Sequence, residues 1–216
     1  MRFPDRSRSL RSRAMIAERQ KMLDGPHVAP LAAFVAKLRE THPGVEFPDF
    51  DPFSGGVDAE VLFLLEKPGP KTSIKGGGSG FISIDNDDPT ADACFGFYQQ
   101  TEIPRVKTVH WNVIPGWNGR IEIGAGELEL GVKTLDALVA LLPKLHTVVF
   151  VGKRALRARE KLKALRPELR LLCSAHPSPK VRATRRAQWD EISVVWAASV
   201  CGGLSNPEQK NDRSEE

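Results

Sequence analysis

Four short apolar runs constrain this chain more than any other feature. They are AEVLFLLE (residues 59–66), VKTVHWNV (106–113), HTVVFVG (146–152) and LRLLCSA (169–175). Each is short, nearly continuous in apolar residues and bounded by Gly, Pro or polar residues, which suits a strand buried on both faces. Helix-like segments separate and flank them: residues 14–23, a stretch after Pro30 with Leu31, Phe34, Val35 and Leu38 on one face, then 90–100, 130–142, 154–165 and 184–200. Strands alternating with helices predict an α/β chain, a three-layer α/β/α domain around a four-stranded parallel sheet. The 216 residues suffice for one such domain. It is expected over residues 14–201, between a basic, disordered segment at 1–13 and a polar, disordered tail at 202–216.

Composition narrows the classes. No apolar run approaches the roughly 18 residues that span a bilayer, and no apolar stretch follows the basic start MRFPDRSRSLRSR, so neither a membrane protein nor a secretory signal is expected. Cys94, Cys173 and Cys201 form no C-x-x-C pair and are odd in number. A disulfide framework or thiolate metal site is therefore not expected, and a reducing, cytoplasmic location is. The net charge of +4 is a mild bias, so its distribution matters more. Basic residues concentrate in Arg2 to Arg13, in Lys153 to Arg170 and at Lys180, Arg182, Arg185 and Arg186. Each reads either as a solvated helix face or as a surface for phosphates.

In parallel sheets ligands bind beyond the carboxyl ends of the strands. The polar and Gly/Pro-rich segments fall at those ends: Glu66-Lys67-Pro68-Gly69, residues 112–117, Gly152-Lys153 and residues 176–179. The loop over residues 67–90 is long for a compact domain, as functional loops are. GPKTSIKGGGSG within it is not a phosphate loop, because Pro70 rather than Gly precedes Lys71.

LLEKPGP after the first strand and SAHPSP after the last resemble the two motifs of the uracil-DNA glycosylase superfamily. WNVIP resembles its middle strand, and VVFVGKRA the stretch before the last strand in its thermophile-type branch. The resemblance spans roughly residues 59–196. It implies a DNA partner, a monomer, and a base flipped out of the stack into a pocket. His176 would donate to a carbonyl oxygen that gains negative charge; its alternative is a bond to nearby backbone. Asn112 would read the base edge with both donor and acceptor, or else bond locally at its strand end. Phe81, after the glycine run, would stack on the base, or fold into the core. Pro68 and Gly69 would shape a turn facing the base.

The resemblance puts Ser178, Lys180, Val181, Arg182 and Arg185 against DNA, with Lys153 nearby. Lys180 and Val181 fall where relatives carry a wedge side chain, and Lys180 departs from an apolar wedge. Glu66 matches a Gln or Glu of the first motif. Lys67 stands where the most active branch has a water-activating Asp; a lysine there would hold a phosphate, neutralise a nearby carboxylate, stabilise the leaving base or attack the sugar as an amine. The water activator is therefore open between Glu66 and the Asp85–Asp88 loop, with Asp87 and Asp88 as candidates; helix capping is the alternative for each of those acids. The iron–sulfur cluster of the thermophile-type branch needs four cysteines, so no cofactor is expected. Three readings follow: a monofunctional DNA glycosylase, a nucleic-acid-binding module of the same fold without chemistry, or an α/β enzyme acting on a small nucleoside-like molecule.

Overall fold

The computed structural model describes residues 6–201. Its strands are β1 (Asp49–Phe50), β2 (Val61–Leu65), β3 (Phe81–Ile82), β4 (Thr108–Asn112), β5 (Thr147–Val151) and β6 (Arg170–Ser174). Its α-helices are α1 (Arg13–Lys21), α2 (Ala29–Thr41), α3 (Pro89–Thr101), α4 (Ala125–Ala140), α5 (Arg159–Leu165), α6 (Pro179–Thr184) and α7 (Arg186–Val200). The four apolar runs form one parallel sheet in the order β4-β2-β5-β6. β1 and β3 make a separate two-residue parallel pair.

Side chains alternate across a strand, and that alternation divides the core in two. Leu62, Leu64, Val109, Trp111, Val148 and Phe150 pack with α2, α4 and α5 on one face. Val61, Phe63, Val149 and Val151 pack with Cys94, Phe97 and Tyr98 of α3 and with Ile192 and Trp196 of α7 on the other. Both faces are covered, which is why the strands read as unbroken apolar runs. β6 is an edge strand, and Arg170 and Cys173 on it are exposed.

Helix ends depart from the sequence expectations for local reasons. α3 starts at Pro89 because Asp88 caps it, its Oδ1 accepting from the Thr90 and Ala91 amides at 2.9 and 3.0 Å. α4 starts at Ala125 rather than near residue 130, where the Glu127 carboxylate accepts from the Gly124 amide at 2.7 Å. The last expected helix, 184–200, is α7, and a short additional helix, α6, precedes it, the two parted at Arg185 with φ −143° and ψ 60°. The basic segment 154–165 opens with a 3-10 turn, Ala155–Ala158, before α5.

A buried ionic cluster ties four distant segments together. The Arg19 guanidinium, fully buried, donates to Asp51 at 2.7 Å and to Asp85 at 2.5 Å. Arg105 binds the same two carboxylates at 2.5 and 2.8 Å. Ser83 donates to Asp51, and Arg19 lies 4.3 Å from the centre of the Phe53 ring. Burial pushes the Asp51 carboxyl up, but Arg105 and Arg19 outweigh it and hold it below the usual carboxylate range.

Of the disordered N-terminal stretch expected at 1–13, residues 1–5 lie outside the described residues. Residues 6–13 include the 3-10 turn Ser9–Arg11, Leu10 is buried with Ile16 and Phe81, and the Leu10 amide donates to the Asp85 carbonyl at 3.0 Å. The expected tail, 202–216, lies outside the described residues. Among the described residues no helix is long and apolar enough to cross a membrane.

Removing one member of a buried ion pair leaves an uncompensated charge and costs about 3–5 kcal/mol. Arg19→Met is expected to lower stability by that order in urea unfolding at pH 7. An unchanged midpoint would show that the cluster contributes no net stability.

Candidate active site

The site follows from the strand order. From β2 the chain crosses to β4 through α3, returns past β2 to β5 through α4, and moves on to β6 through α5. The direction of winding reverses at β2, which leaves a crevice at the carboxyl ends of the strands. A cavity of about 320 Å³ occupies it. Residues 65–72 after β2 form one wall, and Ala91 and Cys94 of α3 another. His110 and Asn112 of β4 lie between them, with His176 at the far side.

The structure brings most of the expected residues together. Glu66, Pro68, Gly69, Asn112, Asp88 and His176 all line this cavity. Asn112 is 5% exposed. His176 follows β6, whose last residue is anchored where Trp196 of α7 donates to the Ser174 hydroxyl at 3.0 Å. Gly152 lies against it, and a Cβ there would meet the His176 Cβ at 3.0 Å. Burial pushes the His176 imidazole below its ordinary value, with Glu66 and Asp88 pulling the other way. The imidazole is thus neutral at pH 7, a donor or acceptor rather than a cation.

Three expectations are corrected. Phe81 is 1% exposed and sits with Leu10 and Ile16, away from the cavity, because β3 pairs with β1 and turns its ring under α1. Asp87 does not line the cavity either; its carboxylate faces outward to Arg11 at 2.9 Å and to Arg8 at 3.5 Å. Lys67 reaches the cavity wall, but its side chain is only 4% exposed. Its ammonium pairs with Glu127 at 2.7 Å and donates to Asn118 and the Glu122 carbonyl at 3.0 Å each. Lys67 is thus a strut between the first site loop and the start of α4, not a free phosphate contact.

The two carboxylates on the cavity differ. Glu66 is tied to Arg154. Asp88 uses Oδ1 for both capping bonds, which leaves Oδ2 for a water or ligand.

His110 is the residue sequence reasoning missed. Phe63 and Tyr98 both pack on its ring, Phe63 stacked at 5.1 Å and 13° and Tyr98 tilted at 5.6 Å. Its Nε2 has no hydrogen-bond partner. Burial, aided by the Arg105 charge, pushes it down to about 3. The available signal was positional: His110 and Asn112 share one face of the strand that ends at the site.

Lys153, Val181 and Arg185 line a groove that adjoins His176. Arg182 lies 5.6 Å from the centre of the Trp189 ring, and Lys180 is exposed beside it. Ser178 caps α6, its hydroxyl accepting from the Val181 amide at 3.4 Å. Among the described residues no group of three or more His, Cys, Asp or Glu is arranged to hold a metal ion.

No protein-family model matches the chain, and no curated protein matches it. Among solved structures it is similar to a candidate uracil DNA glycosylase from Methanosarcina acetivorans, at 15% identity over 66% of this chain and 92% of that one, with a TM-score of 0.49. It is similar to SMUG2 of Pedobacter heparinus at 13% identity, over 65% of this chain and 76% of that one, with a TM-score of 0.45. A point variant of mimivirus UNG in complex with UGI gives 14% identity, 78% and 70% coverage and a TM-score of 0.40.

The two imidazoles set a pH dependence. An unfolded histidine takes a proton below its ordinary value of 6.5, while folded His110 stays neutral to about 3. The stability this depressed group contributes is therefore complete above pH 6.5 and is lost as pH falls towards the folded value. Urea midpoints are expected to fall from pH 6.5 to 4.5, His110 contributing roughly 1.4 kcal/mol per pH unit within that window. His110→Phe should flatten the profile, leaving the share due to His176. A variant profile as steep as the wild type would remove His110 as its source.

Gly152 carries a second test. Its φ of +92° and the 3.0 Å approach to His176 leave no room for a side chain. Gly152→Ala is expected to destabilise by about 1–3 kcal/mol and to shift the His176 ring resonances in NMR spectra. Unmoved resonances would show that Gly152 does not position the imidazole.

Proposed function

We propose that the chain is a monofunctional DNA glycosylase that hydrolyses the N-glycosidic bond of uracil or another deaminated or damaged base. The observation that carries this reading is convergence: motif segments far apart in sequence place Glu66, Pro68, Gly69, Asn112 and His176 around one cavity. The basic residues Lys153, Lys180, Arg182 and Arg185 are exposed, and Lys153 and Arg185 line a groove that shares His176 with the cavity, as contact with a phosphate backbone would use. All these groups come from one chain, which is consistent with a monomer, and the reading places the protein in the cytoplasm.

The chemistry assigns one task to each group. The flipped base enters the cavity and Asn112 reads its edge. Water attacks the sugar carbon, the carbon–nitrogen bond breaks, and its electron pair leaves with the base. Neutral His176 donates to the base oxygen that gains charge. Asp88, through its remaining oxygen, orients the water and takes its proton. Glu66, paired with Arg154, shapes the wall.

A second reading, a DNA-binding module without chemistry, draws on Lys67. No carboxylate stands at that position, and the ammonium is engaged by Glu127.

A panel of labelled oligonucleotides carrying single uracil, hypoxanthine, xanthine or mismatched bases separates the two. Strand breaks after alkali are expected for at least one base, with His176→Ala slowing cleavage by about 10²–10³ and Asn112→Ala altering base choice. Affinity should fall as salt rises. Salt-sensitive binding with no abasic product would establish the binding module. Neither binding nor product would turn attention to small nucleoside-like substrates.

A further inference from the structure

His110 carries an inference that rests on the glycosylase reading and deepens it. The residue is 8% exposed, and its ring lines the cavity. Its Nε2 is sealed from solvent without a hydrogen-bond partner. Nδ1 makes no hydrogen bond within the described residues and, unlike Nε2, is not sealed. A sealed, unpartnered N–H is rarer and more costly than a bare lone pair. This favours the proton on Nδ1, so that the ring would present one N–H donor to the cavity. Phe63 and Tyr98 hold the plane of the ring. Asn112 lies two residues further on the same strand face, about 7 Å along it.

We propose that His110 is a second base-reading residue, its Nδ1–H donating to a carbonyl oxygen of the extrahelical base, so that the pocket favours oxo-bases over their amino counterparts. A donor facing a carbonyl gains a hydrogen bond. The same donor facing an exocyclic amino group meets another donor and leaves both buried and unpaired. Deamination converts the second case into the first. Burial keeps His110 neutral, so it reads the ground-state base as one fixed donor instead of titrating.

The wild-type protein tests this directly. With ¹⁵N-labelled histidine, long-range NMR spectra are recorded at pH 7 while free hypoxanthine or free adenine is added. The pair differs at one edge, carbonyl against amino. The His110 ring is expected as the Nδ1–H tautomer, with its resonances shifting saturably with hypoxanthine and not with adenine. His110→Phe retains a stacked ring and is expected to weaken hypoxanthine binding about tenfold, the loss of one hydrogen bond, with adenine binding unchanged. His110→Gln restores a donor and part of the preference. An Nε2–H tautomer, immobile His110 resonances while the Asn112 side-chain amide moves, equal losses for both bases in His110→Phe, or no binding of either base would each overturn the inference. The glycosylase reading fails separately. Hypoxanthine held through His110, with every oligonucleotide left intact, would sink the activity and keep the contact. Base excision with unaltered preference in His110→Phe would do the reverse.

Discussion

The site depends on a cluster of four charges that never touches the cavity. Arg19 and Arg105 hold Asp51 and Asp85 in the interior. Asp85 belongs to the loop that runs on through Asn86 and Asp88 into α3, and those two residues line the cavity. Ile84 anchors the loop in the core, and ions and capping bonds fix the polar residues on either side of it. Asn86 accepts from Ser79 at 2.6 Å and donates to the Phe81 carbonyl at 2.9 Å, which closes the loop on itself. Such a cluster contributes little net stability over a well-packed apolar core. What it supplies here is a single geometry for the wall on which Asp88 stands.

The opposite wall is held in the same way. Lys67 and Glu127 brace the turn after β2 against α4, and Glu66 and Arg154 brace it against the segment after β5. Lysine at residue 67 therefore does not leave a gap in the pocket; it exchanges a reactive group for a fastening. Across the cavity, Asp88 keeps one carboxylate oxygen that takes no part in capping. Segments after β2, β4 and β6 thus frame one cavity.

Much of this was legible in the sequence, for definable reasons. β2, β4, β5 and β6 fall within the apolar runs because strands covered on both faces must be apolar throughout. Placement of Asn112 and His176 followed from the rule that parallel sheets bind ligands at strand ends. Helix starts were less legible because they depend on single side-chain bonds, such as Asp88 to the Thr90 amide, that periodicity does not register. Phe81 was misplaced because its partners, Leu10 and Ile16, lie in a segment whose basic composition suggested disorder; one buried leucine outweighed the charges around it. His110 was overlooked because a histidine inside an apolar strand reads as core. Only the burial of its neighbours shows that it is core on one side and cavity on the other.

His176 sits just past β6, and β6 has one neighbour in the sheet. An edge strand is the least expensive strand to detach, since only one ladder of hydrogen bonds must break. β4, which carries His110 and Asn112, is the sheet's other edge, so the site residues of both strands hang from its margins while β2 and β5 stay paired at its centre. The geometry of the site therefore rests on the two margins of the sheet, and on α3 and α7 that cover one of its faces, more than on its central pair of strands.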